Sequence, residues 1–198
     1  MDKSILTPEE SFNLINKHIS NFKMNYKDNG KFFLLWGWIL TFACFSHFFI
    51  LRILHSKEAY DLIGLFSIGN WAVFIFGAFI ILYFMNRKIS KDKKVYSHLE
   101  SYIKNLWTVS GVSMFIATFL SFKLGLVPPT MILLITGIAT TITGLFIKFK
   151  PLVFGGMAFF IFSIATTFVS NENTLLISGL AIICGYLIPG YLLKSAKE

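Results

Sequence analysis

Histidine, aspartate and glutamate are the residues that most often carry catalysis or bind metals, and the apolar parts of this sequence contain almost none. His47 alone lies well inside an apolar run, where a single histidine more often hydrogen-bonds to a neighbour than binds a metal or carries a proton. The GxSxG, phosphate-loop and zinc-binding motifs of enzymes are absent from the sequence. We therefore predict no catalytic, cofactor-binding or metal-binding residues and no enzymatic activity.

Small and hydroxylated side chains are the remaining polar features of the apolar runs. Such residues let two helices approach closely, and hydroxyl groups can hydrogen-bond across to another helix or back to their own backbone. The alternative is a polar path through the membrane for an uncharged solute. The candidate residues for a helix contact or a polar pathway are Asn70, Thr136, Thr140, Thr143, Gly137, Thr141 and Gly144.

The composition requires a membrane for most of the chain. Hydrophobic residues make up 55% of the 198 residues, charged residues only 14%, and the mean hydropathy is +0.68. A soluble domain carries about 25% charged residues, and about 20 apolar residues suffice for one transmembrane helix. Backbone groups in lipid must be paired within the helix. The sequence therefore predicts an all-α, six-helix transmembrane bundle with spans at 32–51, 62–85, 106–122, 127–147, 152–169 and 174–193.

The distribution of basic residues predicts the orientation of these six spans. Fifteen of the eighteen lysines and arginines fall before the first span, in the second and fourth connections, or after the last span. Only Arg52, Lys57 and Lys123 fall on the other side. Because basic loops stay on the cytoplasmic side, we expect both termini in the cytoplasm of a bacterial cell, with the protein in the inner membrane.

Residues 1–30 form a separate N-terminal segment, and residues 31–198 form the transmembrane domain. The segment opens with a capping box, Thr7-Pro8-Glu9-Glu10, which favours a helix start. An amphipathic helix is then expected up to Asp28-Asn29-Gly30, with Phe12, Ile15, Ile19 and Phe22 recurring at helical spacing. Such a helix lies on the cytoplasmic membrane interface or docks on a protein partner, and the pattern leaves both open.

The basic stretch from Arg87 to Lys94 adjoins a span, so it indicates topology and contact with lipid headgroups; we expect no nucleic-acid partner. Membrane lipids are the predicted surroundings, and a homo-oligomer or a membrane or cytoplasmic protein partner is left open. The sequence favours an accessory or sensory and regulatory component that acts through helix-helix or protein-protein contacts. The alternative is a small transporter or channel for an uncharged or lipid-like solute.

Three short sequence stretches carry a family resemblance. They are Asp28-Asn29-Gly30 running into Leu35-Trp36-Gly37-Trp38, the stretch Thr143 to Pro151 followed by Gly155-Gly156, and Leu187-Ile188-Pro189-Gly190. Together they resemble an uncharacterised Bacteroidetes family of small multi-pass inner-membrane proteins. The resemblance implies a regulated inner-membrane protein, because genes of this family often neighbour small winged-helix regulators. It implies no functional residues, since none are established for the family.

The orientation can be tested with reporter fusions. Fusions after residue 30, within 88–104 and at the C-terminus are expected to report the cytoplasm. Fusions near Lys57, Lys123 and Glu172 are expected to report the external side, because the basic residues are concentrated at the opposite end of the spans. A C-terminal fusion that reports the external side would contradict the six-span topology.

Overall fold

The computed structural model describes residues 8–89, 98–169 and 172–195. Within these ranges the chain is helical and contains no strand. The helices are α1 (Pro8–Ser56), α2 (Ile63–Ile89), α3 (His98–Leu124), α4 (Pro128–Phe146), α5 (Lys150–Ala165), α6 (Asn173–Ile182) and α7 (Ile188–Ser195). A π-helical turn, Ile183–Leu187, joins α6 to α7, so that the three form one continuous last span. Short 3₁₀ turns precede α2 and follow α5.

Six stretches of these helices are long and apolar enough to cross a membrane, and this confirms the predicted all-α, six-span fold. They are Gly30–Ser56, Tyr60–Met85, Ser101–Leu124, Pro128–Phe146, Lys150–Phe168 and Asn173–Ser195. The third span is longer than predicted, because the helix extends into the polar residues on both sides of the apolar run. Pro151 lies in the first turn of α5, the position where its missing amide donor costs nothing. The protein is a multi-pass membrane protein.

The N-terminal helix does not end at Asp28-Asn29-Gly30, and the prediction of a break there was wrong. Helix α1 continues without interruption from Pro8 to Ser56. Gly30 is buried, and a Cβ atom placed on it would lie 3.3 Å from the backbone nitrogen of Lys194 and 3.5 Å from the Cβ of Leu193. The glycine therefore allows close approach to α7 instead of terminating a helix. Side-chain positions of residues 8–29 lie outside the described structure, so the amphipathic face stays a prediction.

The last span is the centre of the bundle and has the largest buried share of the six. Helix α1 packs along α6 and α7 on one side, and α5 packs along them on the other. Helix α4 packs mainly on α5, α3 packs mainly on α4, and α2 packs mainly on α1. Helices α2 and α3 are consecutive in the chain but make no extensive contact with each other, and they lie at the periphery.

The π-helical turn of the last span arises where a proline and two glycines meet. Pro189 has no amide hydrogen, so the carbonyl four residues earlier, that of Gly185, lacks its α-helical donor. The helix widens over Ile183–Leu187, and the backbone of α5 covers the turn at Gly155. A Cβ on Gly155 would lie 2.7 Å from the carbonyl oxygen of Gly185. Only glycine at position 155 permits this approach, and the ring of Phe159 lies directly against Gly185.

Helices α4 and α5 pack against each other through the predicted small-residue stripe. A Cβ on Gly137 would lie 2.8 Å from the ring of Phe160, and a Cβ on Gly144 would lie 2.7 Å from the backbone nitrogen of Val153. Thr141 occupies the same stripe and lies against Gly156 of α5. The stripe therefore faces a neighbouring helix backbone, and its partner is the fifth span.

Leucine at position 144 is expected to destabilise the protein, because the obstructing atoms belong to the backbone of α5. Overpacking of this kind costs about 1–3 kcal/mol, so Gly144→Leu should lower the thermal unfolding midpoint in detergent by several degrees. Gly111→Leu on α3 is the matched control, since a Cβ there meets nothing within 4 Å. Equal unfolding midpoints for the two variants would contradict the packing.

Candidate functional site

A cluster of five polar side chains joins α1 to α2 inside the membrane. His47 Nε2 lies 2.8 Å from Ser67 Oγ, and the indole nitrogen of Trp71 donates to His47 Nδ1 at 3.2 Å. Ser46 Oγ donates to Asn70 Oδ1 at 2.7 Å, and Asn70 Nδ2 donates to the Ala43 carbonyl at 3.1 Å. We call Ser46, His47, Ser67, Asn70 and Trp71 the α1–α2 polar cluster.

The hydrogen bonds of the cluster decide which nitrogen of His47 carries the proton. An indole N–H can only donate, so Nδ1 must accept and therefore has no hydrogen. The neutral ring then carries its proton on Nε2 and donates it to Ser67 Oγ. Protonation of Nδ1 would leave its N–H facing the N–H of Trp71, so that two donors would meet with no acceptor between them. It would also place a charge within the membrane, which is costly.

This tautomer excludes the cluster as a serine-histidine catalytic pair. In such a pair, Nε2 is unprotonated and accepts the serine proton, while a carboxylate holds the proton on Nδ1. Here Nε2 already carries a proton, and an indole occupies the place of the carboxylate. The geometry therefore makes Ser67 an acceptor, and the cluster connects two helices without activating a nucleophile.

The cluster is also the main polar attachment of α2 to the bundle. Among the α2 residues whose burial is described, Ala78 is the one that is fully buried, and the helix packs mainly on α1. An edge contact between the rings of Trp36 and Phe79, with centroids 6.4 Å apart, adds a second point of contact. Hydrogen bonds between transmembrane helices contribute about 0.6 kcal/mol on average and about 1–2 kcal/mol in favourable cases. Four of them at one level therefore fix the register of α2 against α1.

Three buried threonines share one face of α4. Thr136 and Thr143 donate to the carbonyls of Ile132 and Ala139, one turn earlier, at 2.7 Å each. The Thr143 hydroxyl also accepts from the indole nitrogen of Trp107 on α3 at 3.2 Å. All three threonines of this face, Thr136, Thr140 and Thr143, are buried. The hydroxyl groups of Thr136 and Thr143 bond to the backbone of their own helix, and that of Thr143 also bonds to a neighbouring helix.

Thr140 is the least satisfied of these groups. Its side chain is fully buried and lies beside the phenol of Tyr186, but its hydroxyl makes no hydrogen bond of good geometry. The ring of Tyr186 lies on the π-helical turn between Phe33, Trp107 and Phe159, with centroids 5.6, 6.3 and 5.0 Å away. These four aromatic rings lie where α1, α3, α5 and the last span meet.

The structure separates the candidate residues into two places. Asn70 belongs to the α1–α2 polar cluster, whereas the glycines and threonines of α4 face α5 and the last span. These two places are separate because α2 does not pack extensively on α4. Sequence reasoning missed Ser46, Ser67 and Trp71 as partners of His47 and Asn70. The available signal was spacing, because residues 67, 70 and 71 are three and four apart and share one face of α2.

A groove borders the polar cluster at Asn70. It has a volume of about 390 Å³, and its walls are Ile50, Leu65, Phe66, Gly69, Asn70, Val73 and Phe74. The walls are apolar apart from Asn70, whose amide bonds to α1. The described residues contain no group of three or more histidine, cysteine, aspartate or glutamate side chains that is arranged to hold a metal ion.

Comparisons with models of protein families, with curated proteins and with solved structures find no match to this chain. The resemblance to the Bacteroidetes family therefore stays a prediction.

Removing the Asn70 amide is expected to loosen α2 from α1. Asn70→Ala eliminates the hydrogen bonds to Ser46 and to the Ala43 carbonyl, so the free energy of unfolding should fall by about 1–2 kcal/mol. Thr108→Ala is the control, because its exposed hydroxyl bonds only to Lys104 of its own helix. If Asn70→Ala and Thr108→Ala unfold at the same denaturant concentration in detergent, the cluster does not hold α2.

Proposed function

We propose that the protein is a non-enzymatic component of the bacterial inner membrane that acts through helix-helix or protein-protein contacts, in an accessory or a sensory and regulatory role. Both termini are in the cytoplasm in this proposal. The observation that carries it is a contrast between the glycines of the central helices and those of α2 and α3.

Nine glycines of the central helices lie close to a neighbouring helix. A Cβ added to any of them would come within 3.5 Å of another atom. They are Gly30, Gly37, Gly137, Gly144, Gly155, Gly156, Gly179, Gly185 and Gly190. By contrast, Gly64, Gly69 and Gly77 on α2 and Gly111 on α3 have nothing within 4 Å of that position.

A glycine in a helix without a close neighbour has a cost and no compensating contact. Glycine is about 0.8–1 kcal/mol less favourable than alanine in a helix interior. In transmembrane helices the compensation is close backbone contact with a second helix, because lipid tails provide no hydrophobic force between helices. The glycines of α2 and α3 therefore support a contact that forms when a partner helix is present.

Exposed apolar side chains do not by themselves support a partner, since lipid covers them equally well. Val73, Phe76 and Phe79 of α2 and Phe115 of α3 are all largely exposed, as lipid-facing residues are. What distinguishes α2 is that Gly69, Val73 and Gly77 lie within an arc of about 80° at 100° per residue. Gly69 also forms part of the groove beside the polar cluster. This surface, residues 69, 73 and 77, is the proposed helix-contact face of α2.

The transporter alternative receives less support from the geometry. It requires the α4 threonines to face water, but Thr136, Thr140 and Thr143 are buried. The groove beside Asn70 has apolar walls apart from that residue. An enzymatic role is likewise disfavoured, because the hydrogen bonds of His47 hold the tautomer that cannot accept the Ser67 proton.

The charges at the two ends of the bundle support the proposed orientation. At the end where the α1 span begins, the described basic residues are Lys31, Arg87, Lys104, Lys148, Lys150 and Lys194. At the other end, Arg52, Lys57 and Lys123 are accompanied by Glu58, Asp61 and Glu172. The positive-inside rule assigns the first end to the cytoplasm.

Photocrosslinking in native membranes tests the contact face. A photoreactive phenylalanine analogue at position 73 is expected to give a discrete protein adduct, and Gly69→Leu with Gly77→Leu should abolish that adduct while leaving the unfolding midpoint unchanged. The control position is 154 on α5, which is 72% exposed and should give adducts with lipid alone. Adducts with lipid alone at position 73 would contradict the proposal.

A further inference from the structure

Trp38 and Tyr191 join α1 to α7 on the outside of the bundle. The indole nitrogen of Trp38 donates to the Tyr191 hydroxyl oxygen at 3.1 Å. The two side chains are 43% and 49% exposed, although both residues lie within the spans. An exposed aromatic pair within a span faces lipid, so this hydrogen bond lies on the lipid-facing surface.

The Tyr191 hydroxyl still has a hydrogen to donate. A phenol both accepts and donates hydrogen bonds, and here its oxygen accepts from Trp38. Among the described residues, none accepts the hydrogen of this hydroxyl. An unpaired hydroxyl in hydrocarbon is costly, so the surroundings of the protein must supply the acceptor.

The depth of the pair in the membrane narrows the choice of acceptor. The α1 span, Gly30–Ser56, has 27 residues, so its length of about 40 Å is close to the full bilayer thickness of about 40–45 Å. Trp38 and Tyr191 are eight and four residues from the ends of their spans, or about 12 and 6 Å. Side chains lean towards the N-terminus of their own helix, so the two side chains meet between these levels. There the headgroup region of about 5–8 Å gives way to hydrocarbon, which is the level of the ester carbonyls of a phospholipid.

Lys194 places a positive charge nearer the membrane surface than this pair. It follows Tyr191 by three residues, so the two share one face of α7, and its side chain is exposed. Helix α1 is close by, because a Cβ on Gly30 would lie 3.3 Å from the backbone nitrogen of Lys194. The next residue of α1, Lys31, is also exposed. A lysine at the end of a span extends towards the headgroups and attracts anionic ones.

Aromatic rings continue this surface deeper into the membrane. Phe42, one turn further along α1, stacks on Trp38 with ring centroids 5.6 Å apart and planes at 24°. Phe49 lies on the same face seven residues later, and both phenylalanines are more than half exposed. The stacked rings form an apolar wall that suits an acyl chain.

A second copy of the chain does not match the charge of this surface. The carboxylates whose side chains the structure describes are Glu58, Asp61 and Glu172, and they lie at the opposite end of the bundle from Lys194. At the level of Lys194, the charged side chains that the structure describes are all basic. A second copy inserted in the same orientation would therefore bring like charges together, whereas an anionic headgroup complements them.

We infer that Trp38, Phe42, Tyr191 and Lys194 form a binding site for one anionic phospholipid, which we call the lipid site. The Lys194 ammonium group binds the phosphate, the Tyr191 hydroxyl donates to an ester carbonyl, and an acyl chain lies along Trp38 and Phe42. This inference goes beyond the proposed function. It does not depend on the contact face of α2, so either can fail without the other.

Quenching of Trp38 fluorescence by brominated lipids tests the lipid site. The full-length protein is placed in nanodiscs of phosphatidylcholine and phosphatidylglycerol, with one of the two lipids brominated in its acyl chains. The sequence has four tryptophans, so each variant is measured beside its Trp38→Phe counterpart, and the difference in emission is that of Trp38. Quenching by each brominated lipid in turn gives their relative affinity at this position.

Phosphatidylglycerol is expected to bind beside Trp38 about fivefold more tightly than phosphatidylcholine, the effect of one lysine near an anionic lipid. Lys194→Gln should remove this preference, because it removes the charge and keeps a long polar side chain. Lys104→Gln is the matched control, since Lys104 is an exposed lysine near the same end of the bundle but on α3. This control should leave the preference unchanged.

The hydroxyl contact is tested with an ether-linked, brominated phosphatidylglycerol. This lipid has no ester carbonyl, so it is expected to bind several-fold more weakly than the ester-linked lipid. Tyr191→Phe should make the two lipids equal, since it lacks the hydroxyl that distinguishes them. Water-soluble glycerol 3-phosphate is expected not to relieve the quenching, and relief would show that the surface binds a free phosphate in place of a lipid.

Four further results would overturn the inference. Equal affinities of phosphatidylglycerol and phosphatidylcholine would show that ordinary surrounding lipid covers Trp38. The same loss of preference in Lys194→Gln and Lys104→Gln would show a general attraction to the basic end without a site. Equal binding of the ester and ether lipids to the unaltered protein would show that the Tyr191 hydroxyl donates to water. Failure of both brominated lipids to quench Trp38 would show that protein covers this surface.

Discussion

Close backbone approach between helices is the constraint on which the rest of this structure depends. In lipid, apolar side chains gain nothing by leaving the solvent, so helices associate through van der Waals contact and hydrogen bonds. The central helices meet this requirement with glycine: Gly144 lies against the α5 backbone, Gly155 against the Gly185 carbonyl, and Gly30 against α7. The π-helical turn before Pro189 belongs to the same arrangement, because the widened turn is covered by the backbone of α5.

The peripheral helices are held by different interactions. Helix α2 depends on the α1–α2 polar cluster and on a few aromatic contacts, and α3 is tied to α4 by the hydrogen bond from Trp107 to Thr143. A Cβ added to Gly64, Gly69, Gly77 or Gly111 would meet no atom of the described residues within 4 Å. The structure is thus divided into a closely packed centre and two loosely attached helices, and the proposed contact face lies on one of these two helices.

His47 illustrates how a neighbour decides the chemistry of a side chain. A histidine 2.8 Å from a serine hydroxyl has the distance of a catalytic pair. The Trp71 indole on the other ring nitrogen then fixes the tautomer that cannot act as a base towards that serine. With a carboxylate in place of the indole, the proton would be held on Nδ1, and Nε2 could accept the serine proton.

The sequence by itself determined the number of spans, their approximate limits and the all-helical class, because the length of an apolar run and the need to pair the backbone in lipid are local properties. It also indicated that Gly137, Thr141 and Gly144 form one stripe, since helical spacing is local too. It did not determine that the partner of this stripe is α5, that Asn70 joins His47 in a separate cluster, or that α1 continues through Asp28-Asn29-Gly30. Those features depend on which helix lies opposite each residue: glycine is common where helices end, but Gly30 lies within α1 and allows close contact with α7. Only the tertiary structure decides between these roles, because the contact that stabilises each one comes from residues far away in the chain.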